Sequence, residues 1–191
     1  MSDIRCFVSI EIPEDVKAVI EAETARLRRS GADVKWVAAK NLHFTIKFLG
    51  DVPEEKLPEL ALLLAGSVRD TGPFEMELYG TGVFPGERSP RVVWIGVRDT
   101  VKMDDVRLNV ENTLEKAGGS PRERKPFVPH LTLGRVKSLR GRPGLLEGLA
   151  TLKDILFGKI MVENIYLMRS ELKPGGPEYS VLKKIPFGAG L

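Results

Sequence analysis

The sequence predicts an α+β protein with two pseudo-symmetric β-α-β-α-β lobes, whose mainly antiparallel sheets form a shared central cleft. Two observations carry this prediction. The chain holds only two histidines, and they stand in the same pattern, His43-Phe44-Thr45-Ile46 and His130-Leu131-Thr132-Leu133, 87 positions apart (130 − 43). In addition, the strand-like and helix-like segments of the first half recur at this offset in the second half, which is typical of an internal duplication.

The first half of the chain alternates strand and helix patterns. β-branched and aromatic residues favour the strands, whereas Pro13 followed by Glu14 and Asp15 is a typical helix start. Pro58 falls within the first turns of the second helix, so that helix can begin later than its pattern indicates. The predicted elements are a strand at 4–12, a helix at 14–30, a short strand at 34–37, a strand at 42–49, a helix at 54–69 and a strand at 74–84.

The second half repeats this order. Its predicted elements are a strand at 91–98, a helix at 101–117, a strand at 128–136, a helix at 144–156, a strand at 159–170 and a closing strand at 178–187. Adding 87 to 4–12 gives 91–99, and adding it to 14–30 gives 101–117, so elements fall on elements of the same type. We therefore expect a single domain over residues 1–191, with lobes near 4–86 and 91–170 and the closing strand added.

Composition limits the class of protein. Of the 191 residues, 42% are hydrophobic and 29% are charged, which is typical of a soluble globular domain. The one cysteine, Cys6, cannot form an intramolecular disulfide and fits a reducing compartment, so we expect a cytoplasmic protein. No membrane span or signal peptide is expected, because no long apolar run occurs. The net charge of +3 permits contact with a polyanion without requiring it.

The repeated pattern has a direct chemical interpretation. Alternation predicts strands in which His43 and Thr45 share one face while the apolar residues between and after them share the other. Histidine titrates near neutral pH, and a threonine hydroxyl can donate a hydrogen bond to an anionic oxygen. Two such strands on opposite sides of a cleft suggest paired general acid–base catalysis on a phosphodiester, with Thr45 and Thr132 binding the phosphate.

Other chemistries fit the residues less well. One such motif alone could be a core strand with an incidental histidine, but both histidines of the chain share the pattern. Two histidines without a nearby cysteine or acidic cluster make a poor transition-metal shell. The chain also lacks a Gly-x-Ser-x-Gly nucleophile elbow and a glycine-rich phosphate loop. We therefore expect neither a metal nor another cofactor.

At this point the residues resemble a known family. The duplicated His-hydrophobic-Thr-hydrophobic pattern resembles the 2H phosphoesterase superfamily, and within it the RNA 2′,3′-cyclic phosphodiesterases, also called 2′-5′ RNA ligases (LigT/ThpR type). The resemblance covers nearly the whole chain. It rests on three segments, Cys6-Phe7-Val8-Ser9-Ile10, Asn41-Leu42-His43-Phe44-Thr45-Ile46-Lys47-Phe48-Leu49-Gly50 and Pro126-Phe127-Val128-Pro129-His130-Leu131-Thr132-Leu133-Gly134-Arg135.

The resemblance implies a duplicated 2H phosphoesterase fold and a reaction. Such enzymes open a terminal 2′,3′-cyclic phosphate on RNA and leave a 2′-phosphomonoester. It implies that His43 is the proton donor to the departing 3′ oxygen, that His130 is the proton acceptor from water, and that Thr45 and Thr132 bind the phosphate. Related proteins also join RNA ends through a 2′-5′ linkage. The expected partner is RNA with a 2′,3′-cyclic phosphate end, such as tRNA halves, and the protein is expected to be a monomer.

Several further residues are candidates for substrate contact. The resemblance implies that Arg135 faces a substrate phosphate, but alternation puts it on the face of Leu131 and Leu133, so it reaches the cleft only if the strand twists or bulges at Gly134. Alternation puts Lys47 on the face of His43, and its other interpretation is a solvent-facing strand end. The basic segment 120–126 is either a solvated loop or a phosphate-facing one. The candidates for stacking on an RNA base are Phe48, Phe84, Phe127 and Tyr179.

Two alternatives stay open. The same chemistry could act on a small substrate, such as ADP-ribose 1″,2″-cyclic phosphate or a 2′,3′-cyclic mononucleotide, and comparing substrate lengths would discriminate it. The chain could instead be an RNA-binding module without turnover. In that case His43→Ala would leave its affinity unchanged.

Overall fold

The computed structural model describes residues 2–118 and 127–188. Its elements, in chain order, are β1 (Asp3–Glu11), α1 (Glu14–Arg28), β2 (Val34–Trp36), β3 (His43–Pro53), α2 (Leu57–Ser67), β4 (Phe74–Phe84), β5 (Val92–Arg98), α3 (Val101–Lys116), β6 (His130–Val136), α4 (Arg142–Thr151), β7 (Leu156–Val162), β8 (Asn164–Lys173) and β9 (Gly176–Pro186). Single 3₁₀ turns precede β3 and α2. The predicted segment 120–126 lies outside the described residues.

Two antiparallel sheets form the framework. The first has the strand order β3-β1-β8-β9, and the second has the order β2-β6-β5-β4-β7. Helix α3 packs against β3 and α2 against β9, so these two helices cover the first sheet. Helices α1 and α4 contact β7 and β4 and cover the second sheet. The predicted α+β class with antiparallel sheets is confirmed. None of the helices within residues 2–118 and 127–188 is both long and apolar enough to cross a membrane.

The sheets do not follow the expected division into lobes near 4–86 and 91–170. Strand β4, from the first half, pairs with β5 in the second sheet, and β8, from the second half, pairs with β1 in the first sheet. Each half therefore gives strands to the sheet that holds the histidine strand of the other half: the first half gives β2 and β4, and the second half gives β8 and β9. A strand pattern in the sequence marks which side is buried, but it does not say which neighbour completes the hydrogen-bond ladder.

Two element boundaries also differ from expectation. The single strand predicted at 159–170 is wrong, because the chain forms β7 and β8 and passes from one sheet to the other at Glu163. No glycine or proline interrupts the pattern there, so the sequence carries no break signal. The helix predicted at 144–156 is α4, which ends at Thr151, and helix α2 begins at Leu57, as the position of Pro58 allows.

The offset of 87 still relates the observed elements. Helix α1 (14–28) shifts to 101–115 and falls on α3 (101–116). Strands β3 and β6 begin at His43 and His130 themselves. The offset thus relates β1 to β5, α1 to α3, β3 to β6, α2 to α4 and β4 to β8, whereas β7 and β9 have no counterpart among the described elements of the first half. The two halves interlock by exchanging strands and helices.

Both histidine strands contain a β-bulge at the same place. In the β1–β3 pair, Ser9 lies opposite Thr45 and Val8 lies opposite Lys47, which leaves Ile46 as the additional residue. The β5–β6 pair has the same irregularity, with Leu133 as the additional residue. The bulged positions are again 87 apart (133 − 46). A bulge reverses the alternation of the residues that directly follow it, so simple parity fails just beyond Ile46 and Leu133.

One consequence of the bulge is a buried ion-pair network. The side chains of Lys47 and Glu111 are each 1% exposed, with Lys47 Nζ 3.6 Å from Glu111 Oε1. Arg107 Nη2 lies 3.1 Å from the same carboxylate, and its guanidinium lies over the ring of Phe127 at 4.7 Å. Lys47 therefore lies neither in the cleft, where alternation predicted it, nor at a solvent-facing strand end. The network ties β3, through α3, to the residues that lead into His130.

The network yields a stability prediction. Glu111→Gln leaves the Lys47 ammonium buried without its compensating carboxylate, and removing one partner of a buried pair costs about 3–5 kcal/mol of unfolding free energy. Urea unfolding of the variant and of the unchanged protein measures this loss. The matched control is Glu21→Gln, which breaks the exposed Glu21–Arg28 pair on α1 and should cost about 0–1 kcal/mol. Equal losses of unfolding free energy in the two variants would contradict the prediction that the buried network stabilises the fold more than an exposed pair does.

Candidate active site at the junction of the two sheets

The two histidine–threonine pairs lie on the sides of the sheets that face away from the helices. Phe44 and Leu131, which separate each histidine from its threonine, are both 0% exposed and belong to the core. The histidines and threonines themselves are partly exposed. Strands β3 and β6 contact each other although they belong to different sheets. The structure thus brings the two pairs to a shared cleft between the sheets.

Each imidazole is held by the same backbone contact. His43 Nδ1 lies 2.7 Å from the carbonyl oxygen of Asn41, and His130 Nδ1 lies 2.7 Å from that of Val128. A carbonyl oxygen only accepts hydrogen bonds, so each Nδ1 carries a hydrogen and donates it. In the neutral imidazole the unprotonated nitrogen is therefore Nε2. Both histidines are prepared in the same tautomer to accept or donate a proton through Nε2.

His43 sits among aromatic rings. The Phe7 ring centroid is 4.8 Å from the imidazole, and Tyr179 approaches edge-on at 5.1 Å. His43 Nε2 lies 3.1 Å from Thr45 Oγ1. Burial lowers the pKa of His43 below the ordinary 6.5, and the hydrogen bond to the Asn41 carbonyl opposes this only in part. Without an anionic ligand, His43 is thus neutral over a wider pH range than an exposed histidine.

His130 has a comparable aromatic setting built from other strands. Phe84 of β4 meets its ring edge-on at 5.0 Å and also packs against Trp94 at 5.1 Å. Trp94 lies directly opposite Thr132 in the β5–β6 pair. The second histidine–threonine pair is therefore framed by a phenylalanine and a tryptophan.

The hairpin between β8 and β9 completes the His43 side. Asn41 Nδ2 donates a hydrogen bond to the Pro177 carbonyl at 2.9 Å, which fixes the hairpin next to the residues before His43. This contact holds Tyr179 against the imidazole. Burial raises the pKa of Tyr179, and the positive charge of Arg135 opposes the rise. The positive charge of Arg135 on β6 therefore acts on a ring that belongs to the other sheet.

Arg135 lies on the cleft side because of the bulge at Leu133. It is exposed and opposite Val92, whereas Gly134 is buried and opposite Val93, which faces the core. By the sequence pattern, Arg135 reaches the cleft only with a twist or bulge at Gly134, and the bulge lies one residue earlier, at Leu133. Strict alternation, which put Arg135 with Leu131 and Leu133, is wrong for this residue.

The aromatic candidates separate by position. Phe84 and Tyr179 lie against the imidazoles, whereas Phe127 packs on Arg107. Phe48 is 60% exposed, and its ring lies 6.3 Å from that of Phe7. It is the counterpart of Arg135 at the offset of 87 (135 − 48). Phe48 therefore offers the most open aromatic surface of the four.

Sequence reasoning missed the roles of Phe7 and Trp94. Phe7 packs against His43, and Trp94 lies across from Thr132. Both belong to strands that pair with a histidine strand, and the only available signal was an aromatic residue in each predicted strand. Choosing these two required the pairing register, which the sequence does not give.

Cys6 is not prepared to act as a nucleophile. Burial raises the pKa of its thiol to about 11, so it is a thiol and not a thiolate at neutral pH. Within residues 2–118 and 127–188, no group of three or more histidine, cysteine, aspartate or glutamate side chains is arranged to hold a metal ion. The chemistry-bearing groups that the described structure places in the cleft are the two histidines, the two threonines and Arg135.

Comparison with known proteins agrees with the duplication. The sequence pattern of the LigT-like phosphoesterases matches the chain twice, at residues 10–94 and at residues 98–179. The second match begins shortly after the first one ends. Each match contains one histidine–threonine pair, so the two halves of the chain are two copies of the same unit.

Individual proteins match over nearly the whole length. An RNA 2′,3′-cyclic phosphodiesterase of Methanothermobacter thermautotrophicus is 37% identical over 177 residues, covering 93% of this chain and 95% of the relative. A crystal structure of a Thermus thermophilus protein superposes with a TM-score of 0.79 at 36% identity, covering 96% of this chain and 98% of that one. Escherichia coli LigT in complex with 3′-AMP superposes with a TM-score of 0.77 at 27% identity, covering 98% and 99%.

The environment of His43 yields a titration prediction. His43 should titrate below the ordinary 6.5 because its ring is buried, and inorganic phosphate should raise its pKa because a nearby anion favours the imidazolium. Proton–carbon NMR of the ring signals against pH measures both effects. His43→Ala leaves a single histidine and so assigns the two signals. Titration of His43 above 6.5 in the free protein, or a bound phosphate that leaves its pKa unchanged, would contradict this prediction.

Proposed function

The chain belongs to the LigT-like phosphoesterase family, and we propose that it hydrolyses RNA 2′,3′-cyclic phosphate ends to 2′-phosphomonoesters. One observation carries the proposal. Two histidines lie on strands that contact each other, and both have Nδ1 fixed by a backbone carbonyl 2.7 Å away, which leaves Nε2 for proton transfer. A pair of imidazoles in one tautomer on two sides of a cleft is suited to moving one proton in and one proton out.

The proposed reaction is a single in-line displacement at phosphorus. His130 Nε2 removes a proton from a water molecule, and the water oxygen forms a bond to the phosphorus. The bond from phosphorus to the 3′ oxygen breaks, and His43 Nε2 donates its proton to that oxygen. The product has a free 3′ hydroxyl and a 2′-phosphomonoester. Solvent then returns a proton to His43 and takes one from His130.

The lowered pKa of His43 is compatible with its role as proton donor. In the free protein, burial favours the neutral ring. A bound phosphodiester carries a negative charge, and an anion next to the imidazole favours its protonated form. Substrate binding therefore supplies the condition under which His43 can act as an acid.

The phosphate needs hydrogen-bond donors for its non-bridging oxygens. The hydroxyls of Thr45 and Thr132 are suited to this because each lies on the same side of its strand as a histidine. Arg135 adds a positive charge for a substrate phosphate at the rim of the cleft. Donors that meet the charge as it develops lower the barrier more than donors that bind only the ground state.

We propose that no step requires a metal ion. The acid, the base and the phosphate-binding groups of the proposed mechanism are all side chains of the chain itself. Activity in the presence of EDTA is the expected result, and strict dependence on added Mg²⁺ would contradict this part of the proposal.

The relatives support RNA as the substrate class. The Methanothermobacter protein is an RNA 2′,3′-cyclic phosphodiesterase over almost the same length of chain. Ligation through a 2′-5′ linkage would use the same groups, with a ribose 5′ hydroxyl attacking phosphorus in place of water. Small cyclic nucleotides remain the competing substrates, and their turnover relative to an RNA end decides between them.

Phosphorus NMR tests the reaction directly. An RNA oligomer that ends in a 2′,3′-cyclic phosphate is incubated with the protein in EDTA. We expect the cyclic phosphate signal to be replaced by that of a 2′-phosphomonoester, since the 3′ oxygen is the leaving group. A 3′-phosphate would show that the roles of the two histidines are reversed, and an unchanged spectrum with RNA bound would indicate a binding module.

Alanine variants test the histidine pair. His43→Ala and His130→Ala should each lower kcat by roughly 10²–10⁴-fold, the range of general acid–base catalysis. The kcat of the double variant should be only slightly lower than that of the less active single variant, because the two groups act as a unit. Single-turnover assays with the cyclic RNA measure the rates, and thermal unfolding controls for the fold. Full activity in His130→Ala would refute the mechanism.

A further inference from the structure

Two cations lie side by side at the rim of the cleft. Lys35 of β2 is directly opposite Arg135 of β6, and both side chains are exposed. Residues opposite each other in a sheet share one face, so Lys35 lies on the same side of the second sheet as Arg135. Like charges in this arrangement destabilise a strand pair. Their proximity therefore needs an explanation beyond the fold.

No acidic side chain offsets this repulsion in the described structure. Across residues 2–118 and 127–188, neither Lys35 nor Arg135 has a carboxylate oxygen within the 4.0 Å of an ion pair. Some other exposed cations of the sheets do have such partners. Lys159 lies 2.9 Å from both Glu75 and Glu77, and Lys173 is paired with Glu178. The two positive charges of Lys35 and Arg135 are thus not neutralised by a carboxylate of the described structure, and together they are suited to binding an anion.

The position of the pair relates it to the histidines. The positive charge of Arg135 acts on Tyr179, whose ring centroid lies 5.1 Å from that of His43. Lys35 Nζ reaches the β8–β9 hairpin, 3.8 Å from the point that a Cβ on Gly176 would occupy. Because Leu133 is the additional residue of the bulge, Thr132 and Arg135 lie opposite Trp94 and Val92, which are two positions apart on β5, or about 7 Å along the strand. The pair therefore lies outward from the threonine, at the edge of the same cleft.

Among residues 2–118 and 127–188, such a pair of facing cations is found on the β2–β6 side of the cleft. In the second sheet, β2 extends beyond β6, whereas β3 is the edge strand of the first sheet. The position equivalent to Arg135 on β3 is Phe48, an exposed aromatic ring. The cleft is therefore cationic on one rim and aromatic on the other, and a polyanion is favoured on the β2–β6 rim.

We propose that Lys35 and Arg135 form a second phosphate site, which holds the phosphodiester that joins the terminal nucleotide to the rest of an RNA chain. The proposal rests on the proposed function, because it assumes that the cyclic phosphate occupies the space between the histidines. A nucleotide with a 2′,3′-cyclic phosphate can continue into a chain only through its 5′ oxygen. The second site thus makes the protein selective for a polymer end over a cyclic mononucleotide.

Steady-state kinetics on two substrates test the second site. One substrate is adenosine 2′,3′-cyclic phosphate, and the other is the dinucleotide ApA with the same cyclic end, which adds one phosphodiester. Lys35→Met should raise KM for the dinucleotide roughly 10-fold, as expected for loss of one charge-assisted hydrogen bond. Its kcat, and both constants for the mononucleotide, should stay unchanged. Lys35→Arg should restore the dinucleotide KM.

A matched control removes the same charge elsewhere. Lys102 is exposed at the start of α3, behind the first sheet, so Lys102→Met should alter neither substrate's KM. In the unchanged protein, the dinucleotide KM should also rise more steeply with salt, because each phosphate contact to single-stranded RNA adds a slope of about −0.7 to the logarithmic plot of binding constant against salt. Equal effects of Lys35→Met on both substrates, or no effect on either, would overturn the proposal.

The two proposals fail in different ways. If the unchanged protein turns over neither substrate, the proposed function fails. The second site is then tested by calorimetric binding of 3′-AMP and of ApA with a terminal 3′-phosphate to the same variants. A loss of affinity in Lys35→Met that is confined to the dinucleotide supports the second site. An equal loss for both ligands, or none, overturns it.

Discussion

The burial of one apolar residue between each histidine and its threonine is the constraint on which the site depends. Phe44 and Leu131 are fully enclosed between sheet and helices. Successive side chains of a strand point to opposite faces, so the histidine and the threonine on either side of each buried residue point into the cleft. A register slip of one residue would expose these apolar side chains and bury the imidazoles, so the core and the site are specified together. The backbone carbonyls of Asn41 and Val128 then fix the rotation and tautomer of each ring.

The duplication gives the protein two equivalent halves, and the reaction needs two unequal histidines. The structure breaks the symmetry at positions just after the bulges. Lys47 enters a buried ion-pair network with Glu111, while its counterpart Gly134 packs closely against Val34 and Trp36 of β2. At the next position, Phe48 is the counterpart of Arg135 across the pseudo-twofold. Strand β2 extends the second sheet beyond β6 and brings Lys35 next to Arg135, so the two rims of the cleft differ in charge. An RNA chain bound in the cleft is therefore favoured in one orientation.

The exchange of strands and helices between the halves links the two sides mechanically. Glu111 belongs to the second half but contacts β3 of the first, and Arg107 on the same helix contacts Phe127 before His130. The residues at the offset of 87 from Arg107 and Glu111 are Ile20 and Thr24, so the charged network occurs behind only one histidine strand. Helix α3 thus contacts both the strand of His43 and the residues before His130, and it does so through charged side chains.

The sequence alone determined the fold class, most element positions and the histidine–threonine pairs, because strand period and duplication are local properties that repeat. It could not determine the pairing of β4 and β8 across the halves, or the division of 159–170 into two strands, because a strand pattern does not name its neighbour. The pairing register of the strands was needed to place Phe7, Trp94 and Lys35 near the site. A bulge in each histidine strand, which reversed the side-chain alternation, was needed to place Lys47 in the core and Arg135 on the cleft side. Hydrogen-bond ladders join residues far apart in the chain, and for that reason only the tertiary structure decided which side chains meet in the cleft.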